Sequence, residues 1–188
     1  QFKLDPTNDW TPELVAEVAA TGAVESVDFK GQYTGTIVDS EPDPALYAMV
    51  LEHLPEAWIE DPHTTPEIME LLEPHRDRVS WDAIIHSVSD IEGLPFPPKM
   101  VNVKPSRLGP LRELFAAYDH CDRNGIGMYG GGQFELGPGR GQIQYLASLF
   151  HADAPNDVAP AGYNAVDPEP GLPASPLAPS PAPVGFRW

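Results

Sequence analysis

Short apolar segments of this chain alternate with helical segments that begin at a cap residue followed by proline. Thr11-Pro12, Asp43-Pro44 and Thr65-Pro66 each pair a side chain that caps a helix with a proline suited to its first turn. Helical spacing follows over 14–20, 45–54, 68–72, 108–121 and 141–150, and apolar runs lie at 23–27, 57–59, 79–83, 100–103 and 126–129. This repeated order of strand and helix predicts a parallel α/β fold.

Composition excludes several classes of protein. A chain of 188 residues is long enough for one sizeable domain with a buried core. Its 28 acidic and 11 basic residues give a net charge of −17, which argues against nucleic acid or an anionic membrane surface as partner. No apolar run is long enough to span a bilayer. The single cysteine, Cys121, excludes an intrachain disulfide and fits a reducing cytoplasm.

The two ends of the sequence carry further expectations. The chain opens at Gln1 inside a patterned segment and without methionine, so we expect an N-terminal portion outside this sequence. At the other end, 9 of the 23 prolines fall within residues 153–188, which disfavours helix and central strand there. Because this segment ends in Phe186 and Trp188, we expect an extended proline-rich arm that packs on the body of the protein.

Charged side chains follow the apolar runs, at the points where the predicted strands end. Charges are rare inside parallel strands, because both faces of the sheet are covered, whereas the carboxyl ends of barrel strands carry active sites. Three carboxylates that converge at one such edge repel each other unless a cation lies between them. Mg²⁺ is the natural occupant of a site built from oxygen ligands. The acids concerned are Asp28, Glu60 and Asp82, and Lys104 follows the next run along the chain.

Taken in order, these segments resemble the barrel of the enolase superfamily, in particular its muconate-lactonising-enzyme and mandelate-racemase branches. The likeness rests on Trp-Ile-Glu-Asp-Pro at 58–62, on the later acid Asp82, on Val-Asn-Val-Lys-Pro-Ser-Arg-Leu-Gly at 101–109 and on the glycine-rich segment 128–137. The resemblance covers almost the whole chain. It implies an α/β, TIM-type (β/α) barrel that begins near its second strand, with residues 1–152 as barrel portion and 153–188 as last barrel segment and proline-rich arm.

The resemblance also implies roles for individual residues. Asp28, Glu60 and Asp82 correspond to the Mg²⁺ ligands, and Lys104 corresponds to the lysine that acts as acid and base. Lys3 falls on the first lysine of the family's Lys-x-Lys motif.

The chain departs from the family pattern at Asp5, which stands where the second lysine, usually the base, belongs. This substitution weakens the expectation of racemase chemistry with two bases. Lys30, two residues after Asp28, is a candidate source of the missing ammonium group. The predicted substrate-binding residues are Lys30, Gly131 and Glu135.

The activity that the resemblance implies is that of an Mg²⁺-dependent lyase or isomerase. Such an enzyme removes the α-proton of a small carboxylate substrate through a metal-stabilised enediolate. A metal-dependent sugar isomerase or aldolase would also place acids at strand ends, and a non-catalytic barrel module that binds without turnover is favoured by Asp5. We expect a cytoplasmic protein without nucleic-acid or membrane partners. A homo-oligomer of the full-length protein is compatible with the sequence.

Overall fold

The structure, a computed structural model, describes residues 2–132, 135, 138–157, 162, 165–167 and 169–172. The proline-rich segment 173–188, and with it the expected arm, lies outside the described residues. The chain divides into two compact units, the first formed by Gln1–Ile84 and Asp90–Val101 and the second by Ile85–Ser89 and Asn102–Trp188.

The described part of the chain contains a sheet of six strands that are hydrogen-bonded in chain order, and the pairings from the first strand to the fifth are parallel. The strands are β1 (Phe2–Leu4), β2 (Val24–Asp28), β3 (Trp58–Glu60), β4 (Val79–Trp81), β5 (Met100–Val103) and β6 (Gly127–Gly130). The helices are α1 (Pro12–Ala20), α2 (Pro44–His53), α3 (Pro66–Leu72), α4 (Val88–Glu92), α5 (Pro105–Leu108), α6 (Leu111–Asn124) and α7 (Pro138–Phe150), with a 3-10 helix at Glu73–Arg78. This order confirms the predicted alternation of parallel strands and helices.

The three predicted helix starts of the first unit are confirmed, because each cap side chain accepts hydrogen bonds from the first turn. Thr11 Oγ1 accepts from the Leu14 amide at 3.3 Å, and Asp43 Oδ1 accepts from the amides of Ala45 and Leu46 at 2.9 and 3.2 Å. These bonds satisfy amides that have no partner inside the helix.

The predicted helix over 108–121 is wrong at its start. Gly109 has a φ of +76° and ends the short helix α5 at Leu108. The long helix α6 begins only at Leu111, after Pro110 as its cap residue. A glycine with positive φ followed by a proline breaks the helix, although the apolar spacing continues across the break.

The strand register of the first unit brings the charged strand ends to one edge of the sheet. Asp28 of β2 is paired with Glu60 of β3, one residue after the pairing of Val27 with Ile59. Trp81, the last residue of β4, is paired with Val101. Val27, Ile59 and Trp81 are fully buried, so the strands are fixed by core packing and their acidic ends follow from that register.

In the second unit, helices α6 and α7 pack on β6. Tyr118 of α6 stacks on Phe150 of α7 with 4.2 Å between ring centroids, and Cys121 is fully buried on the same helix as Tyr118. Burial raises the pKa of the Cys121 thiol to about 12, which fits a core residue and not a nucleophile.

Among the described residues, no helix has both the length and the apolar character needed to cross a bilayer.

We expect Asp43→Ala to lower the free energy of unfolding by about 1 kcal/mol, because two amides at the start of α2 lose their acceptor. Urea unfolding followed by circular dichroism measures the change. Glu52→Ala, which removes the same charge from an exposed position of the same helix, is the control. Equal unfolding midpoints for the two variants would show that the cap does not stabilise the helix.

Candidate active site

The carboxylates of Asp28, Glu60 and Asp82 lie in the first unit and are completely buried. The ammonium group of Lys3, on β1, is 2.7 Å from Glu60 Oε1 and 3.1 Å from Asp28 Oδ2. Ser26 Oγ donates to the other oxygen of Glu60 at 3.4 Å. An ion pair with two acids offsets part of the cost of taking their charges out of water. Lys3 therefore holds two neighbouring strand ends together through their acids.

A second lysine approaches the same acids from the loop that follows β2. Lys30 Nζ contacts Asp28 Oδ2 and lies 3.3 Å from Asp5 Oδ2, while the Lys30 amide donates to Asp28 Oδ1 at 3.0 Å. Burial acts to lower the pKa of Lys30, but the charge and hydrogen bond of Asp28, together with the charge of Asp5, raise the pKa above its ordinary value. Lys30 therefore carries its positive charge at neutral pH.

The third acid, Asp82, is contacted at its carboxylate by Tyr33, and its backbone is held by Asp61. Tyr33, from the loop after β2, donates its hydroxyl to Asp82 Oδ2 at 3.0 Å. The backbone amides of Asp82 and Ala83 donate to the two carboxylate oxygens of Asp61, at 2.7 and 2.8 Å. Asp61, which is fully buried, thus fixes the backbone that carries Asp82.

Unusual backbone geometry accompanies these contacts. Lys30 and Asp61 have φ values of +57° and +43°, and they are the non-glycine residues with positive φ in the described part of the chain. Between the two loops, the Gly31 amide donates to the Asp61 carbonyl at 2.8 Å, and a Cβ on Gly31 would lie 2.2 Å from the amide nitrogen of His63. Conformations of this kind cost free energy and persist where surrounding contacts hold them, most often at functional sites.

Burial and neighbouring negative charges raise the pKa values of two acids of this cluster toward neutrality. Burial, with the charges of Asp28 and Asp82, raises the pKa of Glu60 to about 8, although Lys3 acts in the opposite direction. Burial, Asp82 and Asp28 raise the pKa of Asp61 to about 7. The cluster has more negative charge than its two lysines neutralise, so a cation would stabilise its ionised form.

The donor chemistry of this cluster fits Mg²⁺. Asp28, Glu60 and Asp82 are oxygen donors, they are buried, and their mutual repulsion is what a hard divalent cation relieves. As the side chains stand, no three His, Cys, Asp or Glu residues within the described ranges are arranged to hold a metal ion. One oxygen each of Asp28 and Glu60 faces the Lys3 ammonium group.

The remaining predicted site residues belong to the second unit. Lys104, directly after β5, is 5% exposed, and its Nζ lies 4.0 Å from Asp157 Oδ2. A Cβ on Gly131 would lie 2.5 Å from Lys104 Cε, and a Cβ on Gly132 would lie 2.7 Å from Glu135 Oε2. The structure therefore brings Lys104 and Gly131 into contact, and it places Glu135 beside the same glycine-rich turn.

Several contact residues were not predicted to belong to the site. Tyr33 and Asp61 in the first unit, and Asn102 and Asp157 in the second, contact the predicted residues or lie beside them. Asp61 had a signal in the sequence, since Asp is one of the few residues that tolerate a positive φ and it precedes Pro62 after a strand. Tyr33 and Asp157 had none, because loop geometry alone places them.

A protein-family model described as "Domain of unknown function (DUF8230) C-terminal domain" matches residues 1–165, most of the chain. The chain belongs to this family. The matching model describes the C-terminal domain of this family.

Proteins similar to this chain include a described member of the enolase superfamily. A crystal structure of an enolase-superfamily member from Listeria innocua Clip11262 aligns with a TM-score of 0.65 at 22% identity, over 84% of this chain and 42% of that one. A dipeptide epimerase from Methylococcus capsulatus, complexed with Mg and the dipeptide L-Arg-D-Lys, aligns with a TM-score of 0.56 at 18% identity, over 75% of this chain and 41% of that one. The o-succinylbenzoate synthase of Bacillus subtilis (strain 168) is 38% identical over 61 residues, which are 32% of this chain and 16% of that enzyme.

These matches confirm the resemblance to the enolase superfamily and the TIM-type barrel as the fold to which this chain corresponds. At the identities of the two structures, what they show is the shared fold. The chain spans less than half the length of either structure.

The raised pKa of Glu60 predicts a pH-dependent stability. Since the folded-state pKa of about 8 is above the ordinary value of 4.5, the folded chain binds more protons than the unfolded chain between these values. The free energy of unfolding, without added metal, should therefore fall as the pH rises from about 6 to about 8. Urea unfolding of Glu60→Gln should show a shallower fall than the wild type. Glu52→Gln is the exposed control, and a slope in Glu60→Gln equal to that of the wild type would contradict the assignment.

Proposed function

We propose that this chain is the C-terminal barrel part of an Mg²⁺-dependent lyase or isomerase that removes the α-proton of a small carboxylate substrate. The observation that carries the proposal is the burial of Asp28, Glu60 and Asp82 at the carboxyl ends of β2, β3 and β4. Buried acids in this number cost folding free energy, and acids with such perturbed pKa values cluster at functional sites. The barrel similarity to enolase-superfamily members supports the same reading.

In the proposed enzyme, Asp28, Glu60 and Asp82 would hold the Mg²⁺ ion. When bound, the ion would draw negative charge from the substrate carboxylate and so favour loss of the α-proton. Lys3 orients Asp28 and Glu60 by contacting an oxygen of each, and the Tyr33 hydroxyl orients Asp82. Lys30 adds a positive charge beside Asp28, suited to binding an anionic group of the substrate.

Lys104 is the proposed proton-transfer residue, acting through its Nζ at the α-carbon of the substrate. Its side chain is almost completely buried, which keeps it out of bulk water, and Asp157 lies near its ammonium group. Gly131 and Glu135, on the glycine-rich turn, remain the proposed substrate-binding residues of the second unit. Lys3 and Asp5 are the other members of the proposed catalytic set. The cytoplasm is the proposed compartment, on the strength of the single cysteine.

A second candidate function is a barrel that binds a carboxylate without turning it over. It is favoured by Asp5, whose carboxylate pairs with Lys30 where the resemblance calls for a lysine base. Both candidates bind the cation and the anionic ligand. They differ in whether the α-proton of the ligand exchanges with solvent.

Titration calorimetry with Mg²⁺ alone tests the metal site without any knowledge of the substrate. We expect saturable binding at pH 8 to the wild-type chain, because Glu60 and Asp61, whose pKa values are raised to about 8 and about 7, are more fully ionised there than at lower pH. Asp82→Asn should weaken the binding at least tenfold, since one charged ligand is lost. Asp77→Asn, which removes an exposed acid of the 3-10 helix, is the control and should bind as the wild type does. No saturable heat, or equal affinity in both variants, would remove the metal assignment.

Exchange of substrate α-protons in deuterated water tests the role of Lys104. With a carboxylate that the wild-type chain exchanges, Lys104→Ala should reduce the exchange rate by roughly 10²–10⁴-fold, the usual contribution of a general acid or base. Its Mg²⁺ affinity should stay close to that of the wild type, because Lys104 supplies no ligand. A reduction below tenfold would transfer the role to Lys3 or Lys30, and proton NMR of the α-position measures it directly.

A further inference from the structure

Gly131, directly after β6, is a glycine at a place where the side chain of Lys104 passes close to the backbone. A Cβ built on Gly131 would lie 2.5 Å from Cε of Lys104. It would lie 2.9 and 3.0 Å from the side-chain nitrogen and oxygen of Asn102. Real Cβ atoms do not make contacts as short as 2.5 Å. The backbone of Gly131 does not have the positive φ that favours glycine. A side chain at position 131 would therefore have to displace the end of the Lys104 side chain and press on that of Asn102.

The segment after α7 returns to the same strand end and is fastened there by Asn156. The Asn156 side-chain oxygen accepts from the Gly130 amide at 2.7 Å and lies 2.6 Å from His151 Nδ1. Its side-chain nitrogen donates to the His151 carbonyl at 2.9 Å. The next residue, Asp157, donates its amide to the Gly130 carbonyl at 2.7 Å and pairs with Gly131 in a parallel bridge.

This attachment brings a carboxylate to the ammonium group of Lys104. Asp157 Oδ2 lies 4.0 Å from Lys104 Nζ, with side-chain exposures of 33% for Asp157 and 7% for Lys104. Gly131 thus lies beside Cε of the lysine side chain, and Asp157 lies beside its charged end. Asn102 lies on the strand β5 that leads to Lys104 and forms a further wall. Its side-chain oxygen and nitrogen are buried without a hydrogen-bond partner among the described residues.

We propose that Gly131 and Asp157 are positioning residues for Lys104, Gly131 by leaving room for the end of its side chain and Asp157 by placing a carboxylate near its ammonium group. We call Asn102, Gly131 and Asp157 the Lys104 support. That the support serves proton transfer rests on the proposed function. The support itself rests only on contacts within the second unit. Gly131 and Asp157 both act through Lys104 and not on a substrate directly.

The reactivity of Lys104 measures the support without substrate or metal. Limiting acetylation at neutral pH, followed by peptide mass spectrometry, gives the rate at Lys104 relative to the exposed Lys99 of the same molecule. Asp157→Asn keeps the shape of the side chain and removes its charge. We expect the relative rate at Lys104 to rise about threefold or more, because the ammonium group loses the carboxylate that attracts it and reaches the reagent more freely.

Two matched variants separate positioning from a general loosening of the segment. Asp157→Glu restores the charge and should return the rate to within about twofold of the wild type. Asp153→Asn removes an exposed acid from the same segment and should leave the rate unchanged. Equal rates at Lys104 in Asp157→Asn and the wild type would overturn the role of Asp157. An increase that Asp157→Glu fails to reverse would do the same.

Gly131→Ala tests the steric part of the proposal. The added methyl group must displace Lys104, so the relative rate at Lys104 should change at least threefold, whereas Gly139→Ala, where a Cβ makes only ordinary contacts, should have no effect. Unchanged reactivity in Gly131→Ala would overturn the steric role. If these rates change as expected while the wild-type chain binds no Mg²⁺, the support stands and the proposed function fails. If Mg²⁺ binds and the rates do not change, the reverse holds.

Discussion

The burial of several carboxylates at one edge of a parallel sheet is the constraint on which the first unit depends. Asp28, Glu60, Asp61 and Asp82 are all fully buried, and each needs a partner that makes its burial tolerable. Lys3 and Lys30 supply ammonium groups, Tyr33 supplies a hydroxyl, and the backbone of residues 82 and 83 supplies amides. The loops after β2 and β3 are shaped by these contacts, including their positive φ values.

A structural role alone does not account for this arrangement. Apolar residues of similar volume would stabilise such strand ends at least as well as a network of buried ion pairs. Burial and mutual repulsion leave Glu60 and Asp61 with pKa values near neutrality, so the cluster retains a demand for positive charge that its lysines do not meet. That demand, together with oxygen donors from three adjacent strands, is the physical argument for a divalent cation.

Much of the fold could be predicted from the sequence because its signals are local. A cap residue followed by proline marks the starts of α1, α2 and α3, and apolar runs mark the strands. The acids were found because a charge directly after a buried run is unusual in a parallel sheet. Tyr33 and Asp157 could not be found in this way. Each reaches its partner through a loop whose path depends on tertiary contacts, in the case of Asp157 on the hydrogen bonds of Asn156.

The most direct test of the central claim is anomalous diffraction from crystals of this chain grown with Mn²⁺, a hard divalent ion that accepts the same oxygen ligands as Mg²⁺. We predict one anomalous peak at coordination distance from carboxylate oxygens of Asp28, Glu60 and Asp82, with Lys3 withdrawn from at least one of the oxygens that it now contacts. Fully occupied contacts between Lys3 and both Asp28 and Glu60, with no peak at the three acids, would contradict the account.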